Sequence, residues 1–145
     1  MKPIHAAFSV VMSLVVVSTI AWGFVLVGSP ISRRLERFDE RRLEDLQTIA
    51  REVQSMVVSL EDKGELSQPL PATLAEAAEK ATYQRINLRD PQTDEPYVYT
   101  VKDETTFELC ATFSRPRDVG HAVFWNHPAG THCFTINVLN PPRPL

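Results

Sequence analysis

The sequence predicts an α+β fold: an N-terminal transmembrane helix continuing into a long amphipathic helix, which packs on a small antiparallel sheet of three or four strands. Three observations predict it. Ala6 to Val27 is a run without a charged residue. Apolar residues then recur every three or four positions as far as Leu60. From Tyr97 onward the apolar period becomes two, as in half-buried strands. The boundaries read as an anchor over 1–28, the amphipathic helix over 29–64, an α+β domain with the sheet over 65–140, and a Pro-rich tail over 141–145.

At about 1.5 Å per residue, a helix over Ala6–Val27 would cross the roughly 30 Å hydrocarbon layer of a bilayer. Lys2 also suits a secretory signal, but such a signal has a shorter apolar run and ends at small residues. A cut after Ser29 places Pro30 beside the scissile bond, and a cut after Gly28 finds Leu26 where a small residue belongs. The segment therefore reads as an uncleaved anchor. Arg33, Arg34, Arg37, Arg41 and Arg42 follow it, which under the positive-inside rule would keep the large domain inside. The Lys-bearing start, close to the apolar run, reads instead as a signal-anchor, and the domain is expected outside the cytoplasm. The net charge is −3, with Lys and Arg spread along the chain, so nucleic acid is not an expected partner.

Ser29 and Pro30 suit a helix cap and first turn. Leu35, Phe38, Leu46, Ile49, Val53, Met56 and Leu60 form the apolar stripe, with a gap at Arg42 beside Leu43, and a stop is expected near Lys63–Gly64. The stripe reads as one face of a domain core in preference to a seam between copies, because its repeat is short and imperfect. "LPATLAEAAEKA" reads as a second helix, with Pro71 near its start and Leu74, Ala77 and Ala78 inward.

"PYVYTV" alternates Tyr97, Tyr99 and Val101 against Val98 and Thr100. "KDET" supplies a hairpin turn into "TTFELCATF", and "THCFTINV" follows a loop rich in Pro, Gly and His. Phe107, Leu109, Phe113, Phe134 and Ile136 then share the buried face. Cys110 and Cys133 both fall on the opposite, outer phase. On neighbouring strands they would lie close enough for a disulfide closing a loop, a staple that a small core needs.

One stretch concentrates potential ligands: "GHAVFWNHPAGTHC", with His121, His127, His132 and Cys133. Imidazole and thiolate suit zinc or copper, but no CxxC, HxxxH or CxxCH spacing is present, and no metal or other cofactor is expected. The structural reading is a loop pinned to the sheet by Phe124 and Trp125. Asp90, Asp94 and Glu95 in "LRDPQTDEPY" read as turn residues more readily than as an acid–base pair. The cysteines sit on regular strands without a nucleophile context, so no catalytic residue is expected.

Two short motifs carry a family resemblance. Leu70, Pro71 and Leu74 are similar to the helix start, and Asp90, Pro91, Pro96, Tyr97 and Tyr99 to the turn into the first strand, of the soluble domain of major pseudopilins of type II secretion. The likeness spans about residues 35–113 and implies a pilin-like fold in a bacterial envelope compartment. "GFVL" at Gly23 also resembles the start of a pilin processing motif. Gly28, however, stands where that motif requires Glu, and "NVLNPPRPL" has no counterpart of the pseudopilin calcium loop. Neither filament assembly nor calcium is carried over.

The resemblance implies a membrane-anchored, non-enzymatic structural or protein-interaction component of the bacterial cell envelope. It would sit in the inner membrane through Ala6–Val27, with the C-terminal domain outside the cytoplasm. Phe124, Trp125 and His127 would face an envelope partner or a second copy, and no small-molecule substrate is inferred. The alternative is a metal-binding or redox-sensing module built on the His/Cys loop.

Overall fold

The computed structural model describes residues 2–27, 30–58, 66–120 and 123–142, with backbone alone for 2–4, 6, 24–27 and 30. The chain divides into two units, Met1–Leu35 and Glu36–Leu145. In the first, helix α1 spans Lys2–Val27, and its Phe8, Leu14, Val17 and Trp22 are all exposed. The hydroxyls of Ser9 and Thr19 donate back to the carbonyls of His5 and Val16, as is usual for such residues inside helices.

Among the described residues, no helix is long and apolar enough to cross a membrane. This overturns the transmembrane anchor expected over 1–28 and, with it, the single-pass placement in an inner membrane with the domain outside the cytoplasm. The bilayer contact expected through Ala6–Val27 loses its support on the same ground.

Helix α2 spans Pro30–Val57. It ends earlier than the apolar stripe suggested. Val58 bridges to Leu66, the Ser67 N–H donates to the Val57 carbonyl (2.8 Å), and Gln68 Nε2 donates to the Met56 carbonyl (2.5 Å). These bonds satisfy carbonyls that a helix end leaves open. Ser29, Leu60 and the expected stop at Lys63–Gly64 lie outside the described residues. Helix α3 is shorter, Leu74–Lys80, and is capped by Thr73, whose hydroxyl accepts from the Glu76 N–H. Pro71 is buried ahead of this helix, Leu74 and Ala77 are buried within it, and Ala78 is half-buried.

Strands β1 (Val98–Val101), β2 (Thr106–Phe113) and β3 (Gly130–Asn137) form an antiparallel sheet in the order β1-β2-β3. The α+β class with a small antiparallel sheet therefore holds, and the transmembrane part of the expected fold does not. The Lys102 N–H bonds the Thr106 carbonyl (2.9 Å) and Asp103 accepts from the Thr105 N–H (2.8 Å), closing the β1–β2 hairpin. Phe107, Leu109, Ala111, Phe113, Phe134 and Ile136 turn inward against Leu43, Leu46, Ile49, Val53 and Val57 of α2. Tyr97 is buried just before β1, whereas Val101, which shares its phase, is exposed beside the hairpin turn.

Candidate functional site

The β2–β3 connection is held to the sheet by aromatic rings. Trp125 is buried, with its ring 5.0 Å from Phe134, and His127 is buried and stacked 3.5 Å from Phe113. Arg117 and His127 exchange backbone hydrogen bonds of 2.8 and 3.1 Å, so the loop closes on itself as a short ladder. Inside that closure, Asn126 Nδ2 donates to the Gly120 carbonyl (2.9 Å), and Asn126 Oδ1 accepts from the Val119 N–H (3.2 Å). Phe124 meets Trp125 edge-on at 5.1 Å yet remains 40 % exposed, and Val119 is 55 % exposed. The three residues predicted to meet a partner thus divide: Phe124 is presented, while Trp125 and His127 are buried and hold the loop to the sheet.

Two cavities flank this loop. One, of about 280 Å³, is lined by Glu36, Glu40, Leu43, Arg117, Asp118 and His127 among others. The other, of about 250 Å³, lies between α2 and the chain after β3, and Ala50, Gln54, Trp125, Ile136, Pro141 and Pro142 help to line it. The His127 ring accordingly edges a polar hollow and the Trp125 ring an apolar one. Burial pushes the His127 imidazole below its ordinary range, against the opposing pull of the Pro128 carbonyl 3.1 Å from Nδ1. The ring is neutral near pH 7. Trp125 Nε1 and Arg117 Nε are sealed from solvent without a hydrogen-bond partner among the described residues.

The carboxylates of the 90–95 turn are arranged for holding. Arg42, 2 % exposed, reaches from α2 to Asp90 with Nε and Nη2, to Asp39 with Nη1 (2.7 Å) and to Gln92 with Nη2 (2.8 Å). Asp90 also accepts from the N–H groups of Gln92 and Thr93, and Asp39 from those of Ser114 and Arg115 at the end of β2. Burial alone would raise the Asp90 carboxyl. The Arg42 guanidinium and the two N–H donors outweigh it, leaving Asp90 below the usual carboxylate range. Asp94 and Glu95 are exposed. Farther along α2, Asp45 accepts from the Tyr97 hydroxyl (2.8 Å) and from Asn87 (2.7 Å), and Glu52 accepts from the Thr82 and Tyr83 N–H groups (3.2 Å each).

Cys110 and Cys133 are paired directly in register and joined by a disulfide, with α-carbons 4.0 Å apart. The Val138 N–H to Thr105 carbonyl bond sets the alternation along β2–β3. It makes Cys110–Cys133 a non-hydrogen-bonded pair, the closer of the two antiparallel spacings. Of the histidines weighed as ligands, His121 lies outside the described residues. His132 meets the Phe134 edge at 4.8 Å, and His127 stacks on Phe113. Neither joins a three-ligand cluster among the described residues; the cluster found there is Glu108, Cys110 and Cys133.

Sequence reasoning passed over Arg42, Asp39 and Glu108. The signal for Arg42 was present as the single break in the apolar stripe. Glu108 carried none beyond its strand phase. No protein family, curated protein or solved structure matches the chain. The likeness to pseudopilins therefore rests on short motifs alone: Leu70, Pro71 and Leu74 at the start of α3, and Asp90 to Tyr99 at the turn into β1. No neighbour supports that likeness, and nothing in the comparisons identifies a pilin-like family.

Proposed function

We propose that the chain is a non-enzymatic interaction protein that meets its partner through the β2–β3 loop, with Phe124 as the apolar anchor. The observation that carries this reading is the half-exposed Phe124 ring on a loop fastened from below by Trp125 and His127. Aromatic anchors on a preorganised support bind at low entropic cost, which is why such residues dominate interface energetics. The disposition of charge supports the same reading. Asp39, Arg42, Asp45, Glu52 and Asp90 are engaged in tying connecting segments to α2. The test is site-specific photocrosslinking in the source cells, with a photoreactive phenylalanine analogue at position 124 and, as control, at the exposed Thr135. A discrete adduct confined to position 124 is expected, twice the chain mass for a second copy and another mass for a different protein. Equal yields at both positions would overturn the proposal.

A further inference from the structure

The outer face of the sheet carries an arrangement that the loop does not use. Glu108, Cys110 and Thr112 of β2 point away from the core, as do Thr131, Cys133 and Thr135 of β3, because side chains alternate along a strand. The Glu108 carboxylate and the two sulfur atoms all lie within 4.8 Å of one another. While the sulfurs are bonded to each other, neither is a thiolate. Cys133 is exposed, so a thiol in solution can reach the bond. Lys102 Nζ stands 2.9 Å from Glu108 Oε2.

We propose that reduction of Cys110–Cys133 opens a zinc site made of both thiolates and the Glu108 carboxylate, with water as the fourth ligand. The reductant is a dithiol. Its first thiolate attacks Cys133 Sγ, breaking the S–S bond and forming a mixed disulfide, and the Cys110 thiolate that leaves takes up a proton. The second dithiol sulfur then displaces Cys133, so the dithiol leaves as a disulfide and two electrons and two protons remain on the cysteines. Zinc binding releases those two protons to solvent and forms two Zn–S bonds.

The geometry suits the metal. Tetrahedral zinc with Zn–S bonds of about 2.3 Å separates its two sulfurs by about 3.8 Å. Directly opposed residues in an antiparallel pair hold their β-carbons about 4.5–5.5 Å apart, so the sulfurs reach that spacing by side-chain rotation while the strands stay paired. Glu108 adds a hard oxygen donor from the same face. Two thiolates, one carboxylate and Zn²⁺ leave one negative charge, which the Lys102 ammonium offsets. That ammonium also favours thiolate over thiol.

The test uses the full chain, reduced with a dithiol, freed of it without air, and titrated with Co²⁺ as a spectroscopic probe before displacement by Zn²⁺. The reduced chain is expected to take up one equivalent with a thiolate-to-cobalt charge-transfer band, and the oxidised chain none. Cys133→Ser should abolish the two-thiolate spectrum. Glu108→Gln should weaken affinity by about tenfold or more, the scale that even outer-shell partners reach. Its oxidised form keeps the disulfide and serves as the folding control. A reduced, folded chain without the band would overturn the proposal, as would an affinity that Glu108→Gln leaves unchanged. So would far-UV circular dichroism showing that reduction melts the sheet.

Discussion

Arg42 stands in the stripe of α2 that faces the core, and its charge is tolerated there because two carboxylates and a side-chain amide meet it. Breaking such a group from one side leaves the other side buried and uncompensated. Arg42→Met should therefore lower stability by about 3–5 kcal/mol, measured by urea denaturation at pH 7. The folded-state pKa of Asp90 is depressed, so its contribution is present above the unfolded carboxylate value and is lost as pH falls through the folded one. The acid-induced loss of stability below about pH 4 should be shallower in Arg42→Met than in the parent. His127 works in another window. Its folded pKa is lowered, so its neutral form stabilises the fold above the unfolded value of about 6.5, and that contribution is lost as pH falls below it. Unfolding free energies between pH 7.5 and 5 should show this decline, and His127→Phe should flatten it. Sequence spacing shows that Arg42 interrupts a stripe and that Asp39 stands one turn before it, but Asp90 and Gln92 lie far along the chain and are brought there by the fold.

Among the elements, the sheet was the more legible. Strand alternation placed Phe107, Leu109, Phe113, Phe134 and Ile136 on one face and both cysteines on the other, because a period of two leaves only that choice. The disulfide follows from parity together with register, and register was not readable until the hairpin turn and the Val138 N–H bond fixed it. Replacing both cysteines by serine removes the constraint on a 23-residue separation. In the chain-entropy model that should cost about 3 kcal/mol, read as a lower denaturation midpoint without loss of the folded baseline. Helix ends were less legible. The stripe of α2 continues past Val57 as a pattern, yet Ser67 and Gln68 occupy the helix's final carbonyls and turn the chain away. Such competition comes from residues outside the helix, where periodicity is silent.

At the scale of the whole molecule, α2 acts as the spine of the unit Glu36–Leu145, with one ridge packed on the sheet and a second line of charges tying the connecting segments. The anchor expected from the N-terminal apolar run does not stand, because among the described residues no helix is long and apolar enough to cross a membrane. The loop carrying Phe124 and Trp125 was legible as aromatic residues set among Pro, Gly and His. The division between them was not: both rings meet Phe134, and only the folded chain shows that Trp125 is buried and Phe124 exposed. An interaction protein of this kind has its presented ring covered by a partner in its native setting. The most direct measurement is hydroxyl-radical footprinting of the chain, purified and inside its source cells, with Tyr83 as an exposed reference. Oxidation of Phe124 relative to Tyr83 should fall severalfold inside the cell, whereas an unchanged ratio would show that no partner covers the ring.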